Sequence, residues 1–186
     1  MLSYTDLKKG TIFIYKNNPY IVLEYNLIKR AGGQAVVKVK IKNLISGEFL
    51  TQTFHASDEF EEAEIEKTDA EFIYSHRGRY VFCEKGNKAN RFELDENIIG
   101  DAKKFLKTGM DVKAIKFNNN IVGVELPIKV QLKVVSAPPG IKGDRAQGGT
   151  KQVEIETGAT INVPLFVEEG DVIEINTETG EYIRRV

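Results

Sequence analysis

Between Val37 and Lys42 the chain reads Val-Lys-Val-Lys-Ile-Lys, an unbroken alternation of apolar and basic residues. A period of two belongs to a β-strand, with Val37, Val39 and Ile41 on a core face and Lys38, Lys40 and Lys42 together on the other. Two further strand signals precede it, Thr11–Tyr15 and Tyr20–Ile28, both β-branched and aromatic and separated by a turn signal at 16–19. Lys29-Arg30-Ala31-Gly32-Gly33 then joins the second of these to the lysine strand, so the pair reads as a hairpin with Lys29 and Arg30 near its tip. A small twisted barrel of the SH3-like type is the natural package for such strands.

The rest of the chain reads as more of the same architecture. Residues 58–71 contain few turn-breakers and fit strand and loop leading onward. Strand, turn and strand follow from Glu71, with Gly78 in the turn. A single helix is expected over Asp95–Lys107, where Ile98, Ile99, Ala102, Phe105 and Leu106 recur at helical spacing although Gly100 interrupts them. Two strands come next around Asn118-Asn119-Asn120. The stretch from Pro138 to Val186 reads as a compact β module with a long loop and a basic end. Gly109-Met110-Asp111-Val112 is echoed by Gly170-Asp171-Val172, as two copies of one small β-barrel would produce. About five strands per 60 residues fits the OB-fold. The expectation is an all-β chain of three modules, 1–64, 65–128 and 129–186.

Charge is unevenly placed. Residues 1–57 hold eight Lys/Arg against three acids, residues 58–71 hold eight acids against Lys67 alone, and the remainder is nearly balanced. A basic head beside an acidic segment suggests a polyanion-binding face; ordinary solvated charge is the other reading. Cys83 is the one cysteine, which excludes an internal disulfide and fits a reducing compartment. No apolar run approaches the roughly 20 residues of a membrane span, and Met1–Gly10 has no secretory pattern. A soluble, cytoplasmic protein without a membrane partner is expected.

Catalytic patterns are missing. His55 and His76 stand far apart, with no cysteine or paired carboxylate at ligand spacing, so no metal is expected. The loop Gly143–Thr150 has the outline of a phosphate-binding loop, but Gly149 stands where that motif needs lysine, and no helix follows. There is no nucleophile elbow, and Cys83, inside the strand pattern YVFCEK, reads as a small core residue. Glu59, Glu61, Glu62, Glu64 and Glu66 read as a solvated face rather than paired acid–base carboxylates. No enzyme activity and no cofactor are expected.

Three segments together resemble bacterial elongation factor P. These are PYIVLEYNLIKRAGGQAVVKVKIKNLISG at 19–47, PPGIKGDRAQGGTKQVEIETGATINVPLFVEEGD at 138–171, and the terminal GEYIRRV. The resemblance implies an SH3-like (KOW-like) domain and two OB-folds in an elongated, tRNA-like arrangement. It also implies a translation factor that binds both ribosomal subunits beside the peptidyl-site tRNA, between the peptidyl and exit sites, as a monomer. There it would stimulate peptide-bond formation at consecutive prolines by positioning the CCA end, an effect of orientation. Lys29, Arg30, Ala31, Gly32 and Gly33 would face the CCA end. Lys38, Lys40 and Lys42 would meet RNA phosphates, or else form a solvated face guarding an edge strand. Gly143, Asp144, Arg145 and Ala146 would approach the exit-site mRNA codon and small subunit, with Tyr182 and Arg185 on the terminal strand; Tyr182 facing the core is the alternative.

One departure matters. The family carries an extended lysine or arginine at the hairpin tip, and the ungapped match puts Gly32 there, which offers no side chain to modify. Arg30, two residues earlier, is the other candidate tip; otherwise the factor works unmodified. A paralogue rescuing a different stall and a general OB-fold RNA-binding protein are the competing readings.

Overall fold

In the computed structural model, residues 1–29, 33, 35–139 and 149–186 are described. The chain is built from β1 (Leu2–Ser3), β2 (Ile12–Tyr15), β3 (Asn18–Ile28), β4 (Val36–Asn43), β5 (Phe49–Phe54), β6 (Glu59–Glu62), β7 (Ile65–His76), β8 (Arg79–Glu84) and β9 (Asn87–Asp95). There follow helix α1 (Glu96–Ile99), a 3-10 segment (Gly100–Lys104), β10 (Asp111–Phe117), β11 (Asn120–Glu125), β12 (Lys129–Ser136), β13 (Thr150–Ile155), β14 (Thr160–Pro164), β15 (Val172–Asn176) and β16 (Tyr182–Arg185). The strands form three sheets, in the orders β1-β6-β2-β3-β4-β5, β11-β10-β7-β8-β9 and β14-β13-β12-β15-β16. The all-β expectation holds. By contacts the chain divides into two compact units, one of residues 1–68, 92–100 and 113–124, the other of 69–91, 101–112 and 125–186.

In the first sheet the alternation of β4 does what its period demands. Val37, Val39 and Ile41 are fully buried, and Phe13, Phe54 and Phe60 close the same core, with Phe13 and Phe60 edge-to-face at 5.2 Å. Lys16 and Asn17 turn the chain between β2 and β3, and Asn118 and Asn119 turn it between β10 and β11. All four adopt positive φ, as two-residue hairpin turns require.

The second and third sheets have one topology. Each places its first strand centrally, its second and third on one side, and its fourth and fifth on the other. The sequence echo marks equivalent points. Gly109 donates to the Phe72 carbonyl and Phe72 to that of Met110, while Gly170 donates to Val134 and Val134 to Asp171. Register shifts after Phe72 and Val134, so both first strands bulge where the fourth strand attaches. In the third sheet Leu132, Val134, Val153, Ile155, Val163, Ile173 and Ile175 are fully buried.

The helix is shorter than its spacing predicts. It stops at Ile99 because Gly100 takes φ 59° and ψ −136°, and the chain continues as a 3-10 turn to Lys104. Phe105, expected on the same helix, instead packs into the core of the last sheet.

Candidate nucleic-acid interface

β3 and β4 pair from Tyr20↔Asn43 to Ile28↔Val36, and β4 pairs with β5 from Val37↔Phe54 to Lys42↔Phe49. Directly opposed residues of an antiparallel ladder share a face. The outer face therefore carries Lys38 between Asn26 and Thr53, Lys40 between Glu24 and Thr51, and Lys42 between Ile21 and Phe49. β5 is the sheet edge.

The three lysines differ in what they do. Lys38 is exposed and has no hydrogen-bond or ion-pair partner among the described residues. Lys40 lies 3.4 Å from Glu24 Oε1, a pair so exposed that solvent screens most of its attraction. Lys42 is half-buried and donates a 2.6 Å hydrogen bond to the Ile98 carbonyl at the end of α1. Its ammonium caps a helix end, where a cation is favoured.

The turn from β4 to β5 supports that arrangement. Asn43 is buried, and its side-chain oxygen accepts from the Ile45 and Ser46 amides, while its backbone exchanges bonds with Gly47 and Glu48. The Ser46 carbonyl in turn accepts from the Asn97 side chain at 2.9 Å. The same turn recurs at Asn176–Glu181, where Asn176 accepts from the Glu178 and Thr179 amides.

At the tip, Lys29 and Gly33 are exposed. Arg30, Ala31 and Gly32 lie outside the described residues, as do Gly143, Asp144, Arg145 and Ala146. On β16, Tyr182 is half-buried and packs against the core of the last sheet. Arg185 pairs with Asp171 at 3.3 Å and lies 5.5 Å from the ring centre of exposed Phe166. Arg184 grips Glu174 through two 3.3 Å bonds.

Carboxylates here are tuned by these partners. The Arg184 guanidinium bond holds the Glu174 carboxyl below its ordinary value. The Glu168 amide does so for Asp171, with Arg185 adding to it. At Glu156 burial pushes upward, but the Lys133 amide and Lys107 ammonium outweigh it and the net shift is downward.

Sequence reading missed Phe49 and Phe166. Both are more than half exposed, and the Phe49 ring has the Lys42 and Lys40 ammonium groups 5.6 and 6.0 Å from its centre. The signal available for Phe49 was phase, since it falls with Thr51 and Thr53 and not with Leu50 and Phe54.

Among the described residues no group of three His, Cys, Asp or Glu could hold a metal ion, and no helix is long and apolar enough to cross a membrane. Cys83 is buried in β8. On the outer face of β4 and β5 the surface offers cations, the Thr51 and Thr53 hydroxyls and the exposed Phe49 ring, which suit contact with phosphate and base.

Three family models match successive stretches of the chain. Residues 3–60 match the elongation factor P KOW-like domain, 65–124 the elongation factor P OB domain, and 130–185 the elongation factor P C-terminal domain. Elongation factor P of Moorella thermoacetica is 39% identical over 185 residues, spanning the whole of both chains. That of a Hydrogenobaculum species is 41% identical over 180 residues, 97% of this chain and 92% of the relative. A solved structure titled eukaryotic translation initiation factor 5A, from Methanococcus jannaschii, overlaps 68% of this chain and 90% of its own at 16% identity and a TM-score of 0.46. KOW-like and OB domains in this order, matched along the chain by translation factors of its own length, define a translation elongation factor. The chain belongs to the elongation factor P family.

Proposed function

We propose that the protein binds the ribosome between the peptidyl and exit sites, beside the peptidyl-tRNA, and stimulates peptide-bond formation at consecutive prolines. The observation that carries this reading is the β3–β4 hairpin, continued by β5 on its open side, with exposed Lys38 and Lys40 on one face and residues 29–33 within the segment that joins its two strands. Phosphate contacts along the hairpin fix orientation without reading sequence. The tip then meets the CCA end, and holding that end in a reactive pose lowers the barrier through positioning. Peptide-bond formation remains the ribosome's own reaction, so the factor needs no catalytic group and is not an enzyme. Gly32 offers nothing to modify, and the tip works through backbone and neighbouring basic groups, with Arg30 the remaining acceptor. The modules are 1–64, 65–128 and 129–186. The last brings Gly143–Ala146 and Arg185 to the exit-site codon and small subunit. The protein acts as a cytoplasmic monomer.

The test is reconstituted translation of a message encoding three consecutive prolines, with protein purified from its own host and its intact mass recorded. Rescue at the unmodified mass supports the reading with an unmodified tip. Rescue with mass added at Lys29 or Arg30 moves the active tip there. No rescue on matched ribosomes overturns the polyproline assignment in favour of another stall or of general RNA binding.

A further inference from the structure

Phe49 is the aromatic residue on the outer face of β4 and β5, and it is out of phase with the core. The ladder sets it opposite Lys42, with Thr51 and Thr53 next in its own row and Lys40 and Lys38 beside them. It is 56% exposed. Lone exposed apolar side chains are common on protein surfaces, so exposure alone says little. Placement says more. Alternate residues of a strand stand about 6.6 Å apart, so one ring, two hydroxyls and the Lys38 and Lys40 ammonium groups are spaced along the sheet edge. Lys40 and Lys42 lie over the Phe49 ring at 6.0 and 5.6 Å, and the Lys40 ammonium, held only by its exposed 3.4 Å pair with Glu24, can exchange that partner for a phosphate. An aromatic face beside a row of cations is the combination that receives an unpaired nucleotide, base on ring and phosphate on lysine. Only an unstacked base can be met this way, which selects a loop or a bulge rather than a continuous duplex.

We propose that Phe49, with Lys38 and Lys40, forms a stacking shelf for an unpaired base in a loop of the tRNA that the factor accompanies. This rests on the tRNA-side reading of the hairpin. It adds a contact made by a ring on the edge strand, separate from the tip loop. Thr51 and Thr53 hydroxyls are placed to bond the sugar–phosphate chain between the two lysines.

The chain contains no tryptophan. Phe49→Trp therefore gives a single reporter in the full-length protein, and free tRNA adds no competing fluorophore. Titration with deacylated tRNA is expected to quench that reporter saturably. Phe49→Leu, which keeps the apolar bulk and removes the ring, is expected to weaken tRNA binding about 10-fold, within the range of about 5- to 150-fold that loss of one base stack implies. Phe49→Tyr is expected to bind as the wild type does. An unquenched tryptophan, or a leucine variant that binds like the wild type while its melting curve is unchanged, overturns the shelf. If the wild type rescues proline stalls on matched ribosomes and Phe49→Leu does so equally at limiting factor, the shelf alone falls. If the wild type itself rescues nothing, it is the functional reading that falls, and the tRNA titration still decides the shelf.

Discussion

The Lys42 ammonium and the Ile98 carbonyl meet at 2.6 Å, joining the outer face of β4 to the end of α1 across 56 residues of sequence. One lysine of an apparently uniform row is thereby given to structure. Replacing it with methionine keeps the stem and removes the donor. Lys42→Met is expected to cost about 1.5 kcal/mol, near the lower end for a hydrogen bond from a charged group. Lys38→Met is expected to change stability by less than about 0.5 kcal/mol, as surface changes usually do. Urea denaturation of both variants checks this, and equal losses would contradict the division of roles.

Gly47 sits where the β4–β5 turn meets α1. It has φ +76°, and a Cβ built on it falls 2.9 Å from the Asn97 carbonyl oxygen, a backbone atom that cannot swing aside. Gly10 has a similar φ of +90° with open space around its would-be Cβ. Gly10→Ala should therefore show the conformational cost alone, on the order of 1 kcal/mol. Gly47→Ala should show that cost plus the clash, about 2–3 kcal/mol in all. Thermal melts of the two alanine variants separate the terms, and identical shifts would mean that the turn relaxes freely.

Where one strand decides an answer, the sequence was enough to read it. The β4 alternation gave its buried face residue by residue and, Lys42 apart, its exposed one, the asparagine turns formed where their composition put them, and the glycine–aspartate echo marks equivalent points of two sheets with one topology. What could not be read depends on distant partners or on register. Ile98 is invisible to Lys42 until the chain folds. Phe49 takes its neighbours from a ladder set by the Asn43–Glu48 turn. The helix pattern ran on to Lys107 in composition, but one glycine conformation ended it and released Phe105 to another core. Tyr182, equally plausible as a contact or as packing, lies half-buried against the core.

The proposed RNA role of the hairpin predicts a salt signature. A lysine that neutralises one phosphate contributes about 0.7–0.9 to the slope of log affinity against log salt. Lys38→Gln is expected to reduce that slope by about this amount for tRNA-bearing ribosomes, with the fold intact. Lys42→Gln should leave the slope nearly unchanged, because its ammonium already serves the Ile98 carbonyl. Binding isotherms at several salt concentrations decide it. A larger slope change for Lys42 than for Lys38 would assign the phosphate contact the other way.

Acid should loosen the last sheet. Glu174, Asp171 and Glu156 all titrate below their ordinary values in the folded chain, held there respectively by Arg184, by the Glu168 amide with Arg185, and by the Lys133 amide with Lys107 against burial. A carboxyl that is more acidic when folded binds fewer protons than the unfolded chain does, so its contribution is complete above the unfolded values of about 3.9 for Asp and 4.3 for Glu. That contribution disappears as pH falls through the folded values. Stability should change little on this account between pH 6 and 8 and decline below about pH 4.5. Glu156→Gln cannot take part in that decline. It should be less stable than the wild type at pH 7, and the gap between them should narrow by pH 3. Melting temperatures of both proteins across that range measure it, and parallel curves would show that Glu156 carries no linkage to folding.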